Sequence, residues 1–380
     1  MNAGILQKGR EKMYRTYRVR LKPTAEQERQ MRINADCARY AYNWTVARFK
    51  DWKKGDPQLS KYELAKMLRA EYNDPNGDKA WLKQGCSQAI KQAVYDAYSA
   101  LLNFFQGRGF PRFKSRHRCW PKFYVPVEKV RVDTQRVNLP KVGWTITSEQ
   151  LPRDTKFSNP RVIFDGKYWY LAVGVELEDQ TQSAMGEPIG VDLGVKSFAT
   201  VSDERVYKNI AKTKEVKQLE KKLKRAQRKQ ARRYVNGKEG SQNYRKSVAQ
   251  VRSIHRRIAN IRNNHCHQVT ADLVRTKPSV IVIEDLNVNG MLKNHKLAKA
   301  IAEVSFSEFR RQLEYKCAWN GIMLLVADRF FPSSKTCNVC GNVKNRLSLG
   351  ERTYHCEACG TVIDRDLNAA INLAKLATAQ

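Results

Sequence analysis

The stretch CNVCGNVKNRLSLGERTYHCEACGTVIDRDLNAAINLA, residues 337–374, sets two Cys-x-x-Cys pairs directly against an Asp-x-Asp and a helix-patterned apolar run. Cys337, Cys340, Cys356 and Cys359 have the spacing of a zinc ribbon. Each pair supplies two thiolates from one tight turn, and four thiolates close a tetrahedral Zn²⁺. No ligand position stays open, so the expected zinc is single and structural. Gly341 and Gly360 follow the pairs, where such a turn needs them. His355 could replace one sulfur, but four cysteines already suffice. The open question is why a metal knuckle should adjoin Asp364 and Asp366.

Two more acids bear on it. Asp192 ends an apolar strand pattern in GVDLGVKSFAT, between Gly190 and Gly194, and Glu284 ends another in IVIEDLNV. If the two strands are neighbours, their carboxyl ends meet, and the final helix can bring Asp366 to the same spot. Three converging carboxylates form a magnesium site, and two Mg²⁺ ions can clamp both oxygens of an in-line displacement at phosphorus. A lone Asp after a strand is more often a turn former, so the set of three carries the reading. The Asp-x-Gly turn also begins sugar kinases and actin-like ATPases, but the further glycine-rich phosphate loops they require are absent from the sequence.

Charge points to the partner. Over 380 residues the chain has 70 Lys and Arg against 37 Asp and Glu, a formal net charge of +33. Such an excess predicts a polyanion, with nucleic acid ahead of a membrane surface. No apolar run reaches the length of a membrane span and no apolar signal core opens the chain, so a cytoplasmic protein is expected, nucleoid-associated when bound to DNA. Cys37, Cys86, Cys119, Cys266 and Cys317 read as small buried thiols. GRGFPRFKSRHRCWPKF (107–123) interleaves six basic residues with four aromatic rings. Arg112, Lys114, Arg116, Arg118 and Trp120 there suit phosphate contacts combined with base stacking. Residues 214–233 carry ten basic residues and two Glu around a narrow seam of Val216, Leu219, Leu223 and Ala226. Arg225, Arg228 and Arg232 on that helix are the other candidate phosphate contacts. A charged helix is usually only a solvated face, but here the sign is one-sided.

The remaining patterns order the chain. YRTYRVRLKP (14–23) alternates as a strand, and Thr24 with Gln27 forms a capping box before a long helix. Helical periodicity continues to about Phe105. RVIFDGKYWYLAVGVEL reads as a hairpin about Asp165-Gly166. A small β-domain whose first strand is split off by a helical insertion is therefore expected, bounded by the polar linker at 178–188. Beyond it come a strand–turn–strand at 189–203, a helical hairpin whose second arm places Val251, Ile254, Ile258, Ile261, His265, Val269 and Leu273 at steps of three and four, a buried strand at 279–288, a helix at 305–320, another strand, the cysteine segment and a last helix. The fold class is α+β and multidomain.

The motifs YRVRLKPTAEQ, CARYAYNW, GFPRFK, GVDLGVKSFAT, IEDLNV, FRRQLEYKCAWNG, FPSSKTCNVCG, YHCEACG and DRDLNAAINL occur in the order of the transposon-encoded OrfB/TnpB proteins, compact relatives of type V CRISPR effector nucleases. The chain resembles this family from about Tyr14 to Leu376, with residues 50–100 unmatched. The resemblance implies an Mg-dependent RNA-guided DNA endonuclease, with guide RNA from the element's own end, double-stranded target DNA and one chain per guide. It implies catalytic, metal-binding acids at Asp192, Glu284 and Asp366, with Asp285 and Asp364 as supporting neighbours. The implied domains are a wedge β-domain (1–24 and 108–180, barrel-like and split), a helical recognition insertion (25–107), a RuvC-like nuclease domain of the RNase H fold (187–336), a zinc ribbon inserted in it (337–360) and the nuclease domain's last helix (361–380). Two alternatives stay open: a catalytically silent RNA-guided repressor, and a protein-only transposase or nuclease.

Overall fold

The computed structural model describes residues 14–50, 59–116, 119–152, 155–176, 184–236, 240–295, 297–348 and 350–378. Arg118 and most of the 178–188 linker lie outside them. The chain divides into two compact units, one within Lys12–Glu178 and one within Asp179–Gln380.

In the first unit, β1 (Tyr14–Lys22) leads into α1 (Ala25–Lys50). The predicted capping box forms there: Thr24 N donates to Gln27 Oε1 at 3.0 Å, and Gln27 N donates to Thr24 Oγ1 at 3.3 Å. Helices α2 (Lys61–Asn73) and α3 (Ser87–Phe105) follow. Then come β2 (Lys122–Tyr124), β3 (Arg131–Asp133), β4 (Arg136–Leu139), β5 (Gly143–Thr147), β6 (Phe157–Phe164) and β7 (Trp169–Glu176). The sheet order is β2-β6-β7-β1-β5-β4-β3, so β1 sits at its centre although the three helices separate it from the rest. It pairs antiparallel with β7 from Tyr14↔Glu176 to Leu21↔Trp169. Alternation aims Val19 and Leu21 inward, where they share one core with Trp169, Leu171 and the helix residues Met31, Ala35 and Leu64. The hairpin turn closes with Asp165 N donating to Tyr168 O, and Gly166 takes φ +94°.

The second unit begins with an antiparallel meander, β8 (Ile189–Leu193), β9 (Ser197–Val201) and β10 (Val206–Lys208). The basic helix α4 (Lys214–Arg232) and α5 (Gln242–Arg275) form the expected antiparallel hairpin, zipped by Leu219, Ala226, Val251, Ile254 and Ile258. Then β11 (Val280–Glu284), α6 (Val288–Met291), α7 (Ala298–Val304), α8 (Phe306–Trp319) and β12 (Met323–Ala327) follow. The chain ends through a two-stranded ribbon, β13 (Thr353–His355) and β14 (Val362–Asp364), and helix α9 (Arg365–Lys375). The main sheet has the order β10-β9-β8-β11-β12, with β11 parallel to both β8 and β12. Helical crossovers of this length are what parallel neighbours require.

The sheet is covered on both faces, which is why β11 is apolar from Val280 to Ile283. Ile281 and Ile283 face α5 and α8, in a core with Val269, Leu273, Phe309 and Leu313. Val282 and Leu325 face Leu373 of α9. His265, part of the periodic series on α5, is half-buried with its ring edge-on to Phe198 at 5.0 Å, and burial lowers its pKa. It serves packing.

Candidate metal centre and nucleic-acid interface

The sheet register decides where the acids go. Ile281 pairs with Ile189, Val282 with Gly190 and Ile283 with Val191. The next residues, Glu284 and Asp192, therefore end up side by side, and a period of two turns both toward the face that α9 covers. Gly190 permits that cover: a Cβ there would lie 2.5 Å from Ala374 N and press on the Ala370 carbonyl. The helix crosses β8 backbone to backbone, so its first turn delivers Asp366 to the same strand ends.

The electrostatics record the convergence. Asp192 is half-buried, and its carboxyl is held well above the usual carboxylate range, first by burial and then by the charges of Glu284 and Asp366; Arg365 pulls the other way. Three like charges gathered at one place form a site that a cation would relieve. Ser333 Oγ donates to Glu284 Oε1 at 2.5 Å, and Arg352 Nη1 stands 3.9 Å from Asp366 Oδ1. The flanking acids have other tasks. Asp364 is exposed and caps α9, accepting from Asp366 N at 2.9 Å and Leu367 N at 3.1 Å. Asp285 binds Arg329 at 2.6 Å and Arg310 at 3.0 Å, and these bonds hold its carboxyl below the ordinary value.

Among the described residues, the four cysteines are the one group of three or more metal-ligating side chains whose donor atoms all lie within 4.8 Å of one another. The three carboxylates face one another at wider spacing. Cys337 and Cys359 Sγ are 3.6 Å apart, and Cys340 and Cys356 Sγ are 3.5 Å apart. Four sulfurs about 2.3 Å from a tetrahedral zinc would be about 3.8 Å from each other, so the cluster fits the ion. The two turns repeat one geometry: Gly341 N donates to Cys337 O and Gly360 N to Cys356 O, both at 3.0 Å, with φ of +75° and +73° at the glycines. His355 is exposed and stands outside the cluster.

The knuckle adjoins the acids because it is fastened to the helix that bears one of them. Buried Asn368 donates to Thr336 O at 2.7 Å and accepts from Asn338 N at 3.0 Å. Buried Asn372, one turn on, donates to Ser333 O at 2.8 Å and Thr336 O at 2.7 Å. Sequence reasoning passed over Asn368, Asn372 and Ser333, and gave Gly190 no role beyond flanking Asp192. The available signal was two asparagines at i and i+4 on the apolar face of NAAIN, where a polar side chain needs a buried partner.

The candidate nucleic-acid contacts separate into two kinds. Arg225, Arg228 and Arg232 are exposed on α4, opposite its buried seam, and Arg112 is exposed in the basic loop. Arg116 is exposed but pairs with Asp36 at 3.3 Å. Trp120 is turned edge-on to Phe164 at 6.3 Å and covers Gly166. Lys114 is turned inward. Asn43 clasps its backbone, its ammonium lies 3.0 Å from the centre of the Tyr42 ring, and burial, helped by Lys122, pushes its pKa down to about 8. Its charge is packed against the Tyr42 ring.

Fold and site together define a class: α+β proteins that pin a four-cysteine knuckle pair beside a cluster of strand-end carboxylates on a strongly basic chain. Residues 172–295 match the OrfB family of IS605-type elements, described as "Probable transposase", 306–373 match the "Cas12f1-like, TNB domain", and 13–56 match the same family's "Helix-turn-helix domain". The described residues of that last segment form strand β1 and the single helix α1. A "Putative RNA-guided DNA endonuclease" of Streptomyces pristinaespiralis is 32% identical over 369 residues, covering 96% of this chain and 89% of that protein. "Putative RNA-guided DNA endonuclease InsQ" of Escherichia coli K12 is 29% identical, covering 95% and 92%. A solved Cas12f1–sgRNA–target DNA complex contains a chain of the same fold, with a TM-score of 0.50 at 13% identity over 96% of this chain and 99% of that one. The chain belongs to the OrfB family of transposon-encoded, TnpB-like proteins. No described helix is long and apolar enough to cross a membrane.

Proposed function

We propose that this protein is an RNA-guided DNA endonuclease encoded by a transposable element, cutting target DNA next to a short adjacent motif. The observation that carries the reading is the meeting of Asp192, Glu284 and Asp366 at adjacent strand ends, with the Asp192 carboxyl raised by burial and then by its two neighbours. The order β10-β9-β8-β11-β12, in which β8, β11 and β12 are parallel, supports reading this domain as an RNase H-like, RuvC-type nuclease. Asp192, Glu284 and Asp366 would hold two Mg²⁺, which when bound supply Lewis acidity and an activated water for phosphodiester hydrolysis. The chain's own contribution is to hold three carboxylates together at a rigid sheet end clamped by α9, with Arg352 beside Asp366. The four cysteines would hold one structural Zn²⁺ that keeps α9 in place. Exposed arginines on α4 and in the basic loop would carry phosphate contacts to the guide RNA and target, with the first unit as wedge and recognition modules. One chain per guide RNA and a cytoplasmic location complete the reading.

The test is a plasmid-cleavage time course in Mg²⁺ with RNA co-purified from the native locus. Asp192→Ala, Glu284→Ala and Asp366→Ala each lower the rate about a thousandfold or more, since metal activation supplies several kcal/mol and each 1.36 kcal/mol is about tenfold. All three still bind RNA. Asp364→Ala loses only a helix cap and retains more activity than Asp366→Ala. An Asp192→Ala protein that cuts like the wild type refutes the carboxylate site.

A further inference from the structure

Two adjacent phenylalanines just past β12 have opposite fates. Phe331 packs against the core formed by Val282, Leu325, Ala327 and Leu373. Phe330 is 87% exposed. A single exposed ring needs no explanation in itself; this one is held in a particular place. Ala327 pairs in register with Glu284, so the chain leaving β12 passes directly beside the acid-bearing strand end. Arg329 is tied to Asp285, the neighbour of Glu284, at 2.6 Å. Asp328 closes the turn, accepting from Phe330 N at 2.8 Å. Ser333, three residues on, donates to Glu284 itself. Arg329 and Glu284 also line a cavity of about 310 Å³ together with Asn287, Phe306 and Arg310 among others. The ring is thus anchored on both sides to the residues that flank or form the carboxylate site, yet it contributes nothing to the core.

We propose that Phe330 is a positioning residue that stacks on a base of the DNA strand being cut, beside the phosphate that Asp192, Glu284 and Asp366 address. Any base offers a π-face, so such a platform is indifferent to sequence and suits a nuclease whose specificity lies elsewhere. The Arg329–Asp285 bond sets where the ring stands. This inference rests on the endonuclease reading.

The experiment uses the complex with its guide RNA and target DNAs in which one abasic site is walked through the nucleotides around the cut. Wild-type protein is slowed by the abasic site at one position next to the scissile phosphate. Phe330→Ala cuts intact target about tenfold more slowly, as loss of one base–aromatic stack predicts, and is insensitive to the abasic site at that position. Phe330→Trp restores both rate and abasic sensitivity, which a merely structural role would not require. A Phe330→Ala protein that cuts like the wild type overturns the inference while leaving the endonuclease reading intact, as does one that suffers the full abasic penalty on top of its own loss. A wild-type complex that holds RNA but cuts no DNA overturns the endonuclease reading, and this inference with it.

Discussion

Asp192 concentrates the electrostatic tension of the second unit. Its native pKa is raised, so in the metal-free protein the folded state holds this proton more tightly than the unfolded chain does. The stability it contributes is present at low pH and is lost as pH rises through the native value. Asp192→Asn should accordingly raise the metal-free Tm at pH 7 while abolishing cleavage. Added Mg²⁺ should raise the Tm of the wild type and leave that of the variant unmoved. Thermal unfolding with and without Mg²⁺ checks both signs, and a variant less stable than the metal-free wild type contradicts them. The neighbouring acids show how little a residue's identity says by itself: Asp364 and Asp366 are two positions apart, yet one is a solvent-facing cap and the other reaches the strand ends.

At the scale of elements, the site depends on α9 lying close against β8. Gly190→Ala puts a methyl group against the Ala370 carbonyl, Ala374 N and Leu373 Cβ. Backbone cannot give way as a side chain can, so the helix must lift. A stability loss of about 1–3 kcal/mol is expected from such overpacking, with cleavage falling further because Asp366 moves with the helix. Zinc content should stay at one per chain, which separates this lesion from a general collapse. Unchanged cleavage in Gly190→Ala would mean that α9 does not position the acid. The other end of the clamp is the knuckle pair. Cys356→Ser should release zinc, since the ion's binding energy is folding energy for so small a ribbon, and cleavage should drop as Thr336 and Asn338 loosen their hold on Asn368. Elemental analysis and cleavage assays read the two effects, and wild-type protein purified without chelators yet free of zinc would refute the assignment.

Across the whole molecule, a net charge of +33 dominates encounter with any partner. If six or more phosphates are contacted, affinity for nucleic acid should fall by roughly 10³ or more between 50 and 200 mM salt. Binding titrations over that range test this, and a salt-insensitive affinity would leave the exposed arginines of α4 without the expected role. Inward Lys114 should add little to that slope, because its charge is already engaged with the Tyr42 ring.

What the sequence determined by itself was local in origin. Apolar alternation marked β1, short apolar runs marked β8 and β11, steps of three and four marked α5, and cysteine spacing marked the knuckles, because each signal lies within one stretch of chain. The three acids were legible because each ends or begins such a stretch. Short strands such as β3, β10, β13 and β14 span only three residues and carry too little alternation to stand out. Only the tertiary structure decided that β8 and β11 are neighbours in a register that pairs Val191 with Ile283, and hence that Asp192 meets Glu284. It likewise decided that Asn368 and Asn372 bolt the helix to the knuckle, that Lys114 turns inward, and that Phe330 rather than Phe331 faces solvent. In each case the deciding partner is remote in sequence, and pairing across such distances is set by burial and backbone fit, which no local pattern of residues contains.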